Sequence, residues 1–353
     1  MARYLDQYRR AVTGAVFLAG LGMTTLVSTV GAAADTLNVK DIGSFFVGGG
    51  EEVLAGLPKR ELTFGPNNPP ITVDPNGQFE VGQMYVQHVN LVEPKGRYPL
   101  LMWHGGGLTG QVYETKPDGD PGWQMFFLHA GHDVYISDAV ERGRSGWARF
   151  PEIYPGEPFF RTKEEGWVIS RIGPSWSGEA GTSETFEGQQ FPVDAYDAYF
   201  KGSVPRWSVN NERIQAAYDE LVDTVCPCVL LLHSQAASFG FPAALKNPDK
   251  IKGVVAVEPS GAPKADVDAA ALAGIPFLFV WGDFIDQNPL WINLYADLER
   301  WQTQLADAGA SVTVLRLPEH GIEGNTHSLM VDRNSDVVAQ KIQDWMVEQG
   351  LLR

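Results

Sequence analysis

The sequence predicts an α/β fold in which a mostly parallel sheet is flanked by helices and carries an inserted cap. After residue 210, short apolar segments alternate with segments of helical periodicity, and this alternation is typical of parallel strands joined by helices. An apolar strand at 228–232 turns abruptly into a helix that begins with small residues. Functional groups in such folds lie at the carboxyl ends of the strands, so this turn marks the edge of the sheet where chemistry is expected.

The other elements continue this alternation. Before the inserted segment, the predicted strands are 79–92, 98–103 and 133–137, and the predicted helix is 123–130. After it, the predicted helices are 211–225, one that ends near 247, 289–309 and 336–351, and the further strands are 252–257, 276–281 and 311–317. At the start of the core, residues 43–54 and 59–64 resemble two strands, and Gly48, Gly49 and Gly50 are interpreted as a turn.

The chain divides into four segments: 1–34, 35–146, 147–210 and 211–353. In the first, Arg3, Arg9 and Arg10 precede a long apolar run with an Ala-rich end, which predicts a signal peptide cleaved near Ala34. The second and fourth segments form the two halves of the α/β core. The third is rich in aromatic residues, Pro and Gly and is interpreted as a cap, whose aromatic side chains either line an apolar pocket or form a small core of their own.

Net charge and compartment restrict the expected partners. Residues 1–34 contain three Arg and one Asp, so their removal changes the formal charge from −16 to about −18. Such a chain lacks the basic stripe that neutralises phosphates, so we expect no nucleic-acid partner and favour neutral or cationic substrates. We expect a secreted or periplasmic protein with no membrane segment after cleavage, and we leave a homodimer open. For Cys226 and Cys228, two partly buried free thiols are favoured over a strained bridge.

Ser234 is the candidate nucleophile. It stands at the apex of the strand–turn–helix sequence PCVLLLHSQAASFG, where a sharp turn exposes a serine Oγ and the helix start offers unpaired N–H groups. Ala236 occupies one of the two small positions that flank such a serine, but Leu232 stands at the other. The pentapeptide alone fits a buried helix-capping serine equally well, so the assignment depends on the rest of the chain.

A glycine-rich loop, His104-Gly105-Gly106-Gly107, directly follows a buried strand. Without Cβ atoms, such a backbone can lie against a substrate and point an N–H group at a developing oxyanion. Because the loop precedes a candidate nucleophile in the chain, an oxyanion hole is favoured over a flexible turn.

A nucleophilic serine needs a base within hydrogen-bond reach, and two histidines follow the last strand. His327 is favoured, because its distance from the strand allows a flexible, helix-capping loop to fold back over Ser234. His320 is the alternative base, but it follows the strand end too closely to reach easily.

The base in turn needs a carboxylate that orients it, and two strand ends supply candidates. Glu258 terminates the apolar strand after the helix of Ser234, which places it beside the turn. Asp286 on the following strand is the alternative acid, and Asp283 and Asp286 otherwise fit loop-capping carboxylates. His104 and His233 are expected to hydrogen-bond backbone near the site.

A nucleophile, an acid and a histidine in this order after a His-Gly-Gly-Gly loop resemble the α/β-hydrolase superfamily over nearly all of residues 40–353. More narrowly, HGGGLTG, HSQA, AVEP and NTHS resemble a subgroup of secreted bacterial serine esterases with His-Ser-Gln at the turn and Glu after the sixth strand. The resemblance implies Ser234 as nucleophile, His327 as base, Glu258 as orienting acid, the N–H groups of Gly106 and Gln235 as oxyanion hole, and neither cofactor nor metal. Leu232 departs from the superfamily pattern, in which a small residue lets the helix cross the strand closely. A different crossing angle between helix and strand is therefore expected, but the same nucleophile.

These observations lead to the hypothesis of a secreted serine carboxylic-ester hydrolase that acts through an acyl-enzyme on a neutral, bulky or aromatic small-molecule ester. A lactonase, an amidase or an acyltransferase would use the same triad, since pocket details decide which nucleophile resolves the acyl-enzyme. Outside enzymes, the alternative is a hydrolase fold that only binds ligands, which predicts that a member of the triad is missing. None is missing from this sequence.

Overall fold

The computed structural model describes residues 36–353, and the predicted signal peptide at residues 1–34 lies outside them. Within the described residues, the strands are β1 (Val39–Leu54), β2 (Arg60–Leu62), β3 (Ile71–Val73), β4 (Gly77–Leu91), β5 (Leu100–Trp103), β6 (Val134–Asp138), β7 (Cys228–His233), β8 (Ile251–Val257), β9 (Pro276–Trp281) and β10 (Ser311–Arg316). The helices are α1 (Gln111–Glu114), α2 (Trp123–Ala130), α3 (Lys163–Ile169), α4 (Tyr196–Phe200), α5 (Asn211–Val225), α6 (Ala237–Lys246), α7 (Pro289–Asp307) and α8 (Ser335–Glu348).

Eight strands form one sheet in the order β1-β4-β6-β5-β7-β8-β9-β10. The pairs β1–β4 and β4–β6 are antiparallel, and every pair from β6 to β10 is parallel. Parallel neighbours require crossover connections, and helices of the chain supply most of them. The predicted α/β class is therefore confirmed.

Helices cover both faces of the sheet, which explains why its central strands are uninterrupted apolar sequence. Every residue of β5 and β7 is buried. One face packs against α5, α6 and α7 through residues such as Leu221, Phe241 and Trp301, and the other packs against α2 and α8 through Phe127 and Ile342. Burial of one such side chain contributes roughly 1.5–3 kcal/mol, so the central strands hold the turns at their carboxyl ends firmly.

The predicted turn at Gly48–Gly50 is wrong, because β1 runs through these glycines as one strand of 16 residues. Gly48 pairs with Gln83 and Gly50 with Val81 on β4. Gly48 adopts a φ of +68°, and a Cβ on it would lie 2.7 Å from Ala217 Cβ of α5. The glycines therefore allow a helix to pack closely on a distorted strand, and this use leaves the same sequence signature as a turn.

The aromatic segment 147–210 contains α3 and α4, and its aromatic side chains serve both of the expected purposes. Trp167 and Tyr196 are fully buried in the hydrophobic core on the α2–α8 face, while Phe159, Tyr199 and Phe200 line a pocket next to Ser234. The function of this segment as a cap stays a prediction.

Cys226 and Cys228 form a disulfide, so the preference for two free thiols is wrong. The chain leaves α5 at Cys226 in an extended conformation and enters β7 at Cys228. This path brings their Cα atoms to 4.4 Å, which lies at the short end of the range that disulfides span. Among the residues described, no helix combines the length and the apolar character needed to cross a membrane.

Candidate active site

Ser234 lies at the carboxyl end of β7, where the chain turns through one short 3-10 turn into α6. Its φ of +53° is a left-handed conformation that non-glycine residues rarely adopt. The backbone carbonyl of Ser234 accepts a hydrogen bond from the N–H of Ser260 at 3.0 Å, which helps to hold the turn. A strained, firmly anchored conformation of this kind marks a residue whose side-chain direction matters.

Leu232, which breaks the small-residue pattern, is matched by a glycine on the helix. A side chain on Gly240 of α6 would overlap with the Leu232 side chain. In the superfamily pattern, the small residue lies on the strand two positions before the serine. Here the small residue at this contact is Gly240 on the helix, which lets α6 pack closely against β7 despite Leu232. Gly240 therefore provides the space that the Leu232 side chain occupies between α6 and β7.

His327 lies between Ser234 and Glu258. Its Nε2 is 2.9 Å from Ser234 Oγ, and its Nδ1 is 3.1 Å from Glu258 Oε2. A carboxylate can only accept, so Nδ1–H donates to Glu258 and Nε2 is left to accept the hydroxyl proton of Ser234. The side chains of these three predicted residues thus form one continuous hydrogen-bonded chain.

Glu258 is completely buried at the end of β8 and also has a positive φ, +49°. Burial alone would raise its pKa, but the charge of Arg171 and the hydrogen bonds from His327 and Arg171 outweigh burial and lower the pKa to about 2. The N–H of Gly282 donates a further hydrogen bond to Oε1 at 2.6 Å. The carboxylate is therefore ionised at neutral pH although its side chain is completely buried.

Arg171 is the residue that the sequence reasoning missed. It is fully buried in segment 147–210, and its Nη2 donates to Glu258 Oε1 at 2.7 Å while its Nε donates to the carbonyl of Asp283 at 2.7 Å. The guanidinium also lies 5.1 Å from the ring centre of Trp291, which in turn lies 4.1 Å from the His327 ring. No spacing or motif marks this arginine, because its partner lies 87 residues away in the chain.

The three histidines around the site are held in neutral forms. Burial lowers the pKa of His327, although Glu258 opposes this effect, and burial lowers the pKa of His233 to about 3 and of His104 to about 4. His233 Nε2 contacts the carbonyl of His327 at 3.0 Å, and His104 Nε2 accepts from the N–H of Ala139. His233 and His104 thus bind backbone, as the sequence analysis expected, and a neutral His327 is ready to accept a proton.

The loop that carries His327 is buried and firmly hydrogen-bonded, which corrects the expectation of a flexible loop. Asp332 accepts hydrogen bonds from Thr326 N–H, Thr326 Oγ1 and Asn325 Nδ2, at 2.8, 2.7 and 3.0 Å. Burial raises the pKa of Asp332 to about 7. The N–H of His327 itself donates to the carbonyl of Ser170 at 2.9 Å.

The glycine loop lies directly against Ser234. A Cβ on Gly105 would come within 3.0 Å of Ser234 Cβ, and a Cβ on Gly106 would come within 2.9 Å of Gln235 Oε1. Within the described part of the chain, the N–H groups of Gly106 and Gln235 form no backbone hydrogen bond. Both donors are therefore available to a ligand next to Ser234.

The alternative residues are not brought to this cluster. Asp286 is exposed in a short 3-10 turn after β9, and His320 is exposed at the end of another. Asp283 accepts a hydrogen bond from the N–H of Gly324 and contributes its carbonyl to Arg171. Its carboxylate supports the histidine loop from outside the chain of Ser234, His327 and Glu258.

A pocket of about 380 Å³ opens beside Ser234. Residues of the glycine loop, of segment 147–210 and of α7 line it, among them Leu108, Phe159, Phe200, Leu290, Trp291 and Leu294. A pocket of this size, whose wall combines apolar side chains with many polar groups, suits a small organic molecule.

Comparison with known proteins places the fold and the general activity. No protein-family model matches the chain. A fungal protein named "Probable secreted lipase phiG" (Fungal sp., strain ATCC 74256) is 25% identical, over 77% of this chain and 88% of that protein. The solved structure of "a Novel Bacterial Esterase" is 33% identical, with a TM-score of 0.76, and the match covers 89% of this chain and 97% of the esterase. The chain belongs to the family of this bacterial esterase, and it is a hydrolase of the esterase and lipase type with the α/β-hydrolase fold.

Proposed function

We propose that the protein is a serine carboxylic-ester hydrolase in which Ser234 is the nucleophile, His327 the base and Glu258 the acid that orients the base. The observation that carries the proposal is the continuous hydrogen-bonded chain from Ser234 Oγ through His327 to Glu258, with distances of 2.9 and 3.1 Å. A neutral histidine held by an ionised carboxylate is the arrangement that activates a serine hydroxyl.

The reaction proceeds in two steps. Ser234 Oγ attacks the ester carbonyl while His327 Nε2 takes the hydroxyl proton, and the tetrahedral intermediate then releases the alcohol, which receives that proton from His327. Water repeats the sequence on the acyl-enzyme: His327 takes a proton from the attacking water, and Ser234 regains a proton when the carboxylic acid leaves. Glu258 stays ionised throughout and stabilises the imidazolium that forms twice.

The N–H groups of Gly106 and Gln235 form the oxyanion hole in this proposal. Neither is used by the backbone, and both lie next to Ser234. Each such donor contributes roughly 3 kcal/mol to the stability of the transition state in acyl transfer. The aromatic wall of Phe159, Phe200 and Trp291 supports a bulky or aromatic group in the substrate.

We further propose export of the protein with removal of residues 1–34. The basic and then apolar beginning of the sequence supports export, and the fungal relative is named a secreted lipase.

A fluorophosphonate probe tests the nucleophile. We expect it to label Ser234 alone, as read by peptide mass spectrometry, and we expect Ser234→Ala to lower the hydrolysis of a short-chain aryl ester by on the order of 10⁴-fold or more. Ser208→Ala, an exposed serine of the same chain, is the control and should be labelled like the parent. Labelling at another residue, or full activity in Ser234→Ala, would exclude the proposal.

A further inference from the structure

The pocket beside Ser234 contains two positive charges and, among the described residues that line it, no negative charge. The two cations are Arg161 and Arg206. The whole chain has 43 acidic and only 27 basic residues, so this pocket departs strongly from the average composition. A concave site lined by one sign of charge attracts ligands of the opposite sign.

Neither guanidinium has a carboxylate partner. In the part of the chain that the structure describes, no carboxylate oxygen lies within 4.0 Å of a guanidinium nitrogen of Arg161 or Arg206. By contrast, Arg144 is paired with Asp138 at 2.8 Å and Arg171 with Glu258 at 2.7 Å. A partly buried charge without a partner lowers the stability of the fold. The presence of two such arginines in the pocket is therefore better explained by binding of a ligand than by a structural role.

The backbone holds the two arginines next to each other. Phe159 and Arg206 exchange two backbone hydrogen bonds, at 2.7 and 3.0 Å, and the guanidinium of Arg161 lies 5.2 Å from the Phe159 ring centre. Burial and then the charges of Arg142 and Arg161 lower the pKa of Arg206. Through Phe159, both cations lie on the same wall of the pocket, and an anion bound between Arg206 and Arg161 would offset the two positive charges.

Arg206 also lies at the reacting end of the pocket. Its Nη1 is 3.0 Å from the position that a Cβ on Gly106 would occupy, and Gln235 Oε1 is 2.9 Å from the same position. Gly106 and Gln235 are the proposed oxyanion donors. An anion held by Arg206 would therefore be only a few bonds away from the carbonyl that Ser234 attacks.

We infer that the pocket recognises an ester that carries a carboxylate, which Arg206 and Arg161 bind while Ser234 attacks the ester carbonyl. The inference rests on the proposed function. It replaces the neutral substrate that the net charge suggested, because the charges that line the pocket act on a bound substrate more strongly than the net charge of the whole chain does. A guanidinium matches a carboxylate with two parallel hydrogen bonds, which a point charge such as an ammonium group cannot offer.

Two pairs of esters test the inference. Ethyl hydrogen glutarate and ethyl 4-carbamoylbutanoate differ only in a carboxylate or a primary amide on the acyl side, and (butanoyloxy)acetate and (butanoyloxy)acetamide differ in the same way on the alcohol side. Hydrolysis is followed by chromatography of the released acid. We expect kcat/KM of the charged member to exceed that of its amide partner by at least about tenfold in one pair, as expected for hydrogen bonds to a charged group.

Variants assign the preference to the arginines. Arg161→Gln and Arg206→Gln should lower the ratio of charged to neutral kcat/KM towards one, because glutamine keeps polar contacts but removes the charge. Arg149→Gln, an exposed arginine of segment 147–210 outside the pocket, is the matched control and should keep the parent ratio. If Arg206→Gln slowed both members of each pair equally, Arg206 would not act on the carboxylate and the inference would be overturned.

The inference and the proposed function can fail separately. Equal rates within both pairs, with Ser234 still labelled by the fluorophosphonate, would overturn the carboxylate site and leave the esterase proposal intact. If no ester is hydrolysed and Ser234 is not labelled, the esterase proposal fails, and calorimetric titration of Ser234→Ala protein with glutarate decides the carboxylate site alone. Binding that disappears in Ser234→Ala/Arg206→Gln would support the site, and absence of binding would overturn it.

Discussion

Arg171 stabilises the ionised form of Glu258 in the interior of the protein. A carboxylate without exposure to water would ordinarily be protonated, and a neutral acid would orient His327 less strongly. The charge and hydrogen bond of Arg171, whose Nη2 is 2.7 Å from Oε1, together with the hydrogen bond from His327, outweigh the effect of burial, so that the pKa falls to about 2. At the scale of single residues, the proposed triad therefore depends on a fourth side chain.

Glu258→Gln tests the role of the acid. We expect kcat to fall by on the order of 10⁴-fold, because an amide no longer favours the histidine tautomer that accepts a proton at Nε2. Asp286→Asn, which changes the exposed alternative acid, should leave turnover near the parent value. A larger loss in Asp286→Asn than in Glu258→Gln would reverse the assignment.

Folding must be separated from turnover in this experiment, because Glu258→Gln leaves Arg171 buried without its partner. Such unpaired buried charges cost about 3–5 kcal/mol. The double variant Glu258→Gln/Arg171→Met removes both charges and should unfold at a higher temperature than Glu258→Gln alone while remaining as slow.

At the scale of elements, the contact between β7 and α6 shows how a sequence can break a local pattern and keep the geometry. Leu232 is fully buried where the superfamily has a small residue, and Gly240 on the helix provides the missing space. The compensation lies eight positions away, so a pentapeptide pattern cannot detect it. The turn that carries Ser234 depends on this pair, since β7 and α6 are its two supports.

Gly240→Ala tests the pair. Alanine favours helix by about 1 kcal/mol over glycine, but the added methyl group would overlap with Leu232, and we expect a net loss of about 1–3 kcal/mol in the free energy of unfolding. In the double variant Leu232→Ala/Gly240→Ala, the loss should be smaller than the sum of the two single losses by at least about 0.5 kcal/mol, as measured by urea unfolding.

Gly181→Ala is the matched control, because a Cβ on Gly181 would meet no atom within 4 Å. It should leave the free energy of unfolding nearly unchanged. Strict additivity of Leu232→Ala and Gly240→Ala would contradict the proposed compensation.

At the scale of the whole molecule, the α/β class could be predicted because each central strand is an unbroken apolar run that only a doubly covered parallel sheet explains. The convergence of Ser234, Glu258 and His327 could be predicted because each follows a strand end or lies in the loop after one, and the parallel sheet brings such ends to one edge. Arg171 and the close packing around Gly48 could not be named, because both depend on contacts between distant segments. The same holds for Arg206, whose significance lies in having no carboxylate within ion-pair distance among residues 36–353.

Two buried carboxylates give stability opposite dependences on pH. The pKa of Glu258 is lowered, so its contribution is present above its ordinary pKa of 4.5 and is lost as pH falls towards 2. The pKa of Asp332 is raised from 3.8 to about 7. Its full contribution to the free energy of unfolding is therefore present below pH 3.8 and is lost as the pH rises to 7. Between pH 4 and 7, Asp332 therefore opposes stability increasingly as pH rises.

Asp332→Asn should reveal this effect. Relative to the variant, the free energy of unfolding of the parent should decrease by up to about 1.4 kcal/mol per pH unit between pH 4 and 7 and then level off. Urea titrations at each pH measure it, with Asp336→Asn as the control for loss of one exposed negative charge. Parallel curves for the parent and Asp332→Asn would exclude the effect.

Arg171 belongs to segment 147–210 and not to the sheet, and the carbonyl of Ser170 beside it accepts a hydrogen bond from the N–H of His327. Segment 147–210 therefore contacts both Glu258 and His327 directly and helps to hold them in place. Exchange of this segment between relatives, whether by evolution or in the laboratory, transfers a counter-ion together with the walls of the pocket. If the proposed function holds, a change in this one stretch of chain should alter the substrate pocket and the ionisation of Glu258 together.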